Sequence, residues 1–289
     1  MKKKLLFFLL ICFATTTFSQ IQEEKKIRVC DANTKQPIPF TTIWAKDFKN
    51  GTFADSAGYF VINKNFADSI YISSIGYAKQ RVALADVTGE VIYLNSQVAE
   101  LKPILVKQWK VISEVTLGTV EAKKSVIWGS GGYGDEFAQK IVFPDTTKLY
   151  KIKTISISAE RFDETIPMII HVYSVGADGS PKEDILSKKI VLTKEYFKKS
   201  TKKIVIDVRA ENIILNEESC FVGVEWLPIA SKGQKLPTTA LILTQDIPER
   251  ITYTRAFFYS KDKWVRTPIM PGQSAPNNTV ISILVDIME

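Results

Sequence analysis

The sequence is poor in the groups that most hydrolytic and redox chemistry depends on. Its 289 residues hold one histidine, His171, and three cysteines, Cys12, Cys30 and Cys220. A Ser-His-Asp or Cys-His centre would have to be built around His171, and no G-x-S-x-G elbow is present to offer a nucleophilic serine. His171 sits in Ile169-Ile170-His171-Val172-Tyr173, where both faces of a strand read as apolar, so it is expected as a packed or hydrogen-bonded core residue. Neither Cys30 nor Cys220 has a neighbouring histidine or a second cysteine at metal spacing, which argues against zinc and against thiol catalysis. Each lies beside an apolar strand pattern in a different half of the chain, so two buried free thiols are expected rather than a disulfide.

Long apolar runs are equally scarce. Residues 5–14, behind Lys2, Lys3 and Lys4, form one apolar stretch, too short for a membrane-spanning helix and of the length of a signal-peptide core. Thr17-Phe18-Ser19 supplies small residues for cleavage before Gln20, so residues 1–19 are expected to be a signal peptide and the chain to be exported. Cys12 follows Leu10-Ile11 and lacks the small residues of a lipoprotein signal. No later stretch approaches about 18 uninterrupted apolar residues, so no transmembrane segment is expected in the mature chain. Excess positive charge is small as well: the formal +7 becomes +4 without Lys2 to Lys4, since residues 1–19 hold no acid. Nucleic acid is therefore not an expected partner.

What the sequence does have is β patterning. Ile38, Phe40, Thr42 and Trp44 alternate with Pro39, Thr41, Ile43 and Ala45, which reads as one strand with a buried face. Asn50-Gly51 tolerates positive φ and predicts a hairpin into Thr52-Phe53-Ala54. Asp55 to Gly58 forms the next turn, Tyr59 to Ile62 the next strand, and Ser69 to Ser73 another that ends before Gly76. Four strands in about forty residues leave no room for helices.

The order of these residues resembles the carboxypeptidase regulatory-like domain, a transthyretin-like β-sandwich. The resemblance is carried by Ile27-Arg28-Val29, the turn Asp31 to Thr34, Pro37-Ile38-Pro39-Phe40, Gly51-Thr52, Asp55, Gly58-Tyr59-Phe60, Asp68-Ser69-Ile70 and Ser74-Ile75-Gly76-Tyr77. It covers roughly residues 24 to 106, and it implies an accessory module without peptidase chemistry, of the kind found in envelope proteins of Bacteroidetes. Residues 95–111 carry the chain out of this module, giving expected domains at 20–107 and 108–289.

The second region also reads as β. Candidate strands at 152–159, 168–175, 203–208, 220–227, 240–244, 252–259 and 280–287 are separated by turns such as Gly176-Ala177-Asp178-Gly179 and Pro271-Gly272. Nine or ten strands at this spacing predict a jelly-roll-like two-sheet sandwich, and the fold class is all-β throughout. Gly129-Ser130-Gly131-Gly132-Tyr133-Gly134 satisfies a dinucleotide-binding expression, but residues 135–140 allow barely a turn or two of helix behind it. It reads as a glycine loop, and no cofactor is expected.

Three functional readings follow from these observations. The first is a non-enzymatic interaction or assembly module that binds a protein partner, in the periplasm or at the outer membrane or cell surface. The second is a carbohydrate-binding protein that stacks a sugar on exposed aromatics, above all Trp264, which is flanked by Lys261, Asp262, Lys263 and Arg266. The third is a hydrolase using a carboxylate pair such as Glu136 with Asp163 or Glu225. Tyr196, Lys198 and Lys199, within the cluster Lys194 to Lys203, form a candidate face for an acidic glycan or lipopolysaccharide, against a solvated connection. A structural calcium would draw on Asp135, Glu136, Asp145 and Asp286, although no spacing resembles an EF-hand loop.

Overall fold

The computed structural model describes residues 24–63, 66, 68–97, 109–129, 134–228, 239–256 and 263–289. The expected signal peptide, the boundary at 107/108, residues 130–133 of the glycine run, and Phe257, Phe258 and Tyr259 lie outside them.

The first body is built from β1 (Lys25–Asp31), β2 (Thr42–Ala45), β3 (Gly51–Phe53), β4 (Tyr59–Ile62), β5 (Ser69–Ser73), β6 (Gln80–Ala83) and β7 (Val91–Leu94). Two sheets, β4-β1-β7 and β3-β2-β5-β6, enclose a core of Ile27, Val29, Ile43, Phe60, Phe66, Ile70, Ile72 and Leu94. Burying each such side chain stabilises the fold by roughly 1.5–3 kcal/mol. Aspartates set the turns by capping backbone amides. Asp31 Oδ1 accepts from Asn33 N–H (2.8 Å) and Thr34 N–H (2.7 Å), and Asp55 Oδ1 from Ala57 N–H (2.8 Å) and Tyr59 N–H (2.9 Å). The Thr34 amide leads in holding the Asp31 carboxyl below its usual range, against burial. The hairpin expected at Asn50-Gly51 is β2 against β3. The strand expected from Ile38 begins only at Thr42, because Phe40 adopts φ 51° and bends the chain before it can join the ladder.

The second body starts with β8 (Val111–Gly118), β9 (Ser125–Gly129), β10 (Asp135–Val142), β11 (Leu149–Arg161) and β12 (Met168–Val175). It continues with β13 (Pro181–Asp184), β14 (Ile190–Val191), β15 (Phe197–Lys198), β16 (Lys203–Asp207), β17 (Ile214–Leu215) and β18 (Ser219–Trp226). The last strands are β19 (Ala240–Thr244), β20 (Thr252–Ala256), β21 (Val265–Arg266), β22 (Asn278–Thr279) and β23 (Ile281–Met288). One sheet runs β13-β12-β18-β10-β20-β21, with β14 also on β12. The other is organised on the long β11, which pairs β16 and β17 along one edge and β23 and β19 along the other, with β8 outside β23 and β9 outside β19. Together they form the expected all-β sandwich, closed on Ile152, Ile155, Ile170, Val222, Val224, Trp226, Ile281 and Ile283.

Residues 135–140, expected to hold at most a turn or two of helix, instead form most of β10, a central strand hydrogen-bonded to β18 and β20. The period is two: Phe137 and Ile141 enter the core, while Glu136 and Ala138 face the opposite side. The thiols of Cys30 and Cys220 are both free and buried, and burial pushes the Cys220 thiol up to about 12.

Candidate functional site

The outer face of the β12-β18-β10-β20 sheet carries charge, and the first body covers it. Register aligns Ile169, Glu225, Glu136 and Arg255 directly across the four strands, with His171 and Gly223 in the next row. Gly223 is required there, since a Cβ would meet the Tyr173 ring at 2.9 Å and Glu136 Oε1 at 3.1 Å. The missing side chain gives Tyr173 room to donate its hydroxyl to Glu136 Oε1 (2.5 Å).

Every ionisable group in this row is committed to a neighbour. His171 Nδ1 lies 2.6 Å from Asp184 Oδ2, and Nε2 lies 3.1 Å from Glu225 Oε2. Burial alone would lower the His171 pKa, but the charge of Glu136 and the bonds to Asp184 and Glu225 outweigh it and raise it to about 10. The ring is therefore an imidazolium that donates from both nitrogens. Burial pushes the Glu225 carboxyl up, yet His171, Arg255 and Lys189 more than offset that and hold it below its usual range. Arg255 pairs with Glu136 Oε2 through Nη2 (2.5 Å) and Nε (3.1 Å), and Glu136 is 0% exposed. Trp264 lies over the Arg255 guanidinium at 4.5 Å and meets the Tyr173 ring edge-on.

The first body docks through specific groups. Lys189 Nζ donates to the carbonyls of Pro39 (3.1 Å) and Phe40 (2.6 Å), and Thr42 Oγ1 donates to Glu225 Oε1 (3.4 Å). Trp44 fits between Gly51, Gly134 and Pro228, where a Cβ on Gly134 would come within 2.3 Å of the indole. Between the two bodies remains a cleft of about 330 Å3, lined by Thr42, residues 73–77 and Lys79 on one side and by His171, Tyr173, Asp184, Lys189, Glu225 and Arg255 on the other. Burial and the Arg255 charge lower the Lys79 pKa to about 8; burial does the same to Lys189 against the pull of Glu225 and Asp184.

Elsewhere, two strands of the β11 sheet end in open edges. Among the described residues β8 pairs only with β23, and β9 only with β19. Val111 and Ile112 on β8, and Ile127 and Trp128 on β9, are exposed, Ile127 to 55%.

The residues expected from sequence to bind a ligand do not converge. Trp264 was expected exposed in a polar loop; it is half-buried, because Arg255 and Tyr173 lie beneath it at the border of the cleft. Tyr196 packs against the main core, and Lys198 and Lys199 are exposed at the β15 end of the other sheet. The carboxylates Glu136 and Glu225 do stand side by side, each neutralised by a cation, whereas Asp163 caps Thr165. Nor do the acids named for calcium meet: Asp145 caps Thr147, Asp286 pairs with Lys153, and Glu136 is held by Arg255. Among the described residues no group of three or more His, Cys, Asp or Glu is placed to hold a metal. Sequence reasoning missed β8, β9, β10 and the charged row. The available signal was that His171 and Glu225 each interrupt a strand that is otherwise largely apolar.

Residues 28–106 match the family model described as the CarboxypepD_reg-like domain. The chain carries this domain. The regulatory-like domain is a non-catalytic fold, and it is the part that docks on the charged face. No curated protein matches the chain. Among solved structures, BcpA, the major pilin subunit of Bacillus cereus, is similar at 11% identity over 85% of this chain and 67% of the pilin, with a TM-score of 0.21. The VP2 subviral particle of infectious bursal disease virus is similar at 8% identity over 86% of this chain and 62% of that one, with a TM-score of 0.24. The Gt strain of the same virus gives 8% identity, 92% and 63% coverage and 0.25. The chain thus spans less than two thirds of the viral proteins it resembles. No helix of the described residues is long and apolar enough to cross a membrane.

Proposed function

We propose that this chain is a non-enzymatic, exported interaction module of a Bacteroidetes-type cell envelope, and that it binds a protein partner by accepting an extended segment against its open strand edges. The observation that carries the reading is the pair of edge strands, β8 and β9, with exposed Val111, Ile112, Ile127 and Trp128. An edge offers unpaired backbone N–H and C=O groups, and apolar side chains beside it add area that a neighbouring strand can bury. Support for a non-catalytic role comes from the charged row: both His171 nitrogens face carboxylates, and Glu136 is held by Arg255 and Tyr173. A base or nucleophile needs a free lone pair near neutral pH.

In-cell crosslinking of a tagged chain, with recovery from the envelope and mass analysis, tests this. One dominant protein recovered with the native chain, and lost from an Ile112→Lys/Ile127→Lys variant that folds normally, is the expected result. Undiminished capture by that variant, or recovery of glycan or lipopolysaccharide alone, would overturn it.

A further inference from the structure

We infer that the outer face of the β4-β1-β7 sheet is a docking surface for an extended acidic segment of a partner protein, bound through Lys26, Arg28 and Lys35 beside Tyr59 and Tyr93. The face belongs to the regulatory-like domain, whereas the β8 and β9 edges belong to the second body, so it goes beyond the edge-binding reading and stands or falls separately.

The regulatory-like sandwich has two outer faces, and the second body covers one of them. The face of β3-β2-β5-β6 meets that body through Thr42 and Trp44. On the other, period two turns Lys26 and Arg28 of β1, Tyr59 and Val61 of β4, and Val91 and Tyr93 of β7 away from the core. A sheet face that meets only water carries polar residues at such positions. Here four of the six are apolar or aromatic, and Val61, Val91 and Tyr93 are exposed to 39%, 38% and 45%. Aromatic rings and an arginine among apolar side chains are the composition of a protein interface.

Charge decides the occupant. Lys26 Nζ lies 4.4 Å and the Arg28 guanidinium 4.9 Å from the centre of the Tyr59 ring, and Lys35 Nζ lies 4.3 Å from that of Tyr93. The rings attract these cations without neutralising them. Arg28 Nε and Lys35 Nζ donate to the uncharged carbonyls of Ala57 and Ala32, and among the described residues no carboxylate pairs with any of the three. An anion is the complement, and strand geometry sets how its charges are spaced. Lys26 and Arg28, two residues apart on β1, stand roughly 7 Å apart. Alternate side chains of an extended peptide have the same spacing, so carboxylates at every second residue meet both cations at once. Nucleic acid and lipid fit less well: three cations are few for a polyanion, and strand valines do not protrude as a membrane-inserting group does.

Fluorescence anisotropy of a labelled peptide of alternating Glu and Thr, titrated with the full mature chain at low salt, tests this, with alternating Gln and Thr as the neutral counterpart. Saturable binding of the Glu peptide, about tenfold or more tighter than that of the Gln peptide and fading as salt is added, is expected. Lys26→Gln/Arg28→Gln should weaken it about tenfold or more. Lys26→Gln alone gives a second check, since Lys26 is exposed and its side chain touches only the Tyr59 ring; a several-fold loss is expected. Lys198→Gln/Lys199→Gln, which removes two exposed lysines of the other body, should keep full affinity. Absence of binding, equal binding of the Gln peptide, full affinity in both Lys26 variants, or an equal loss in the Lys198/Lys199 variant would overturn the inference. So would tighter binding of phosphatidylglycerol vesicles or of a labelled oligonucleotide than of the Glu peptide.

Discussion

The two faces of the β12-β18-β10-β20 sheet are both largely buried and opposite in character. The inner face buries Met168, Ile170, Val172, Val222, Val224 and Trp226. The outer face buries Glu136, His171 and Glu225 under the regulatory-like domain and Trp264. Inner burial is favourable for each side chain taken alone, since it removes apolar area from water. Outer burial is unfavourable for each charge taken alone and is tolerated because every charge meets its complement. An apolar face tolerates substitution in proportion to volume, whereas a charged face responds to the loss of any one member as a set.

The largest effects should separate the two faces most sharply. Trp226→Ala on the inner face and Arg255→Met on the outer are each expected to destabilise by about 3–5 kcal/mol in denaturant unfolding. Adding Glu136→Leu to Arg255→Met should recover part of the loss, because no uncompensated carboxylate remains, while no companion substitution of charge rescues Trp226→Ala. A double variant no more stable than Arg255→Met alone would show that the outer face is not a charge-balanced set.

Next in size, Gly134→Ala should cost about 1–3 kcal/mol, since Gly134 has φ 69° and a methyl there meets Trp44. Native stability in this variant would mean that Trp44 can leave its seat between the two bodies.

The pH response comes third. The His171 pKa is raised from 6.5 to about 10 on folding, so its contribution is complete below pH 6.5 and is lost as pH rises towards 10. Lys79 and Lys189 act in the opposite sense: their pKa values fall from 10.5 to about 8, so the cost of charging them is relieved above pH 8. Between pH 6.5 and 8 the histidine dominates, and stability should decline by up to roughly 1.4 kcal/mol per pH unit. His171→Gln should flatten that slope, and an unchanged slope in the variant would place the titration elsewhere.

The smallest effect belongs to the lysine cluster. Lys198→Ala and Lys199→Ala, both exposed, should shift unfolding by no more than about 0.5 kcal/mol. A larger loss in denaturant unfolding would show that these lysines do more than face solvent.

Much of this architecture is legible along the chain. Asp31 and Asp55 announce their turns because an aspartate caps amides two to four residues away, an interaction contained within one short segment. The strands at Met168–Val175 and Ala240–Thr244 fall at the residues expected, since period-two alternation is local too. The candidate site was much less legible. Reading Ile169 to Tyr173 as apolar on both faces concealed that His171 and Tyr173 share a face with Glu136 and Glu225, which lie 35 and 54 positions from His171.

The sequence by itself determined the all-β class, several strands and turns of the regulatory-like domain up to Ser73 and the poverty of catalytic groups, because hydrophobic period, turn chemistry and composition are properties of neighbours in the chain. Only the tertiary structure decided that four isolated charges become one buried row, that Trp264 rests on Arg255, and that a cleft opens beside Lys79. Those outcomes depend on strand register and on how one body docks on the other, and both are fixed by packing between residues far apart in sequence.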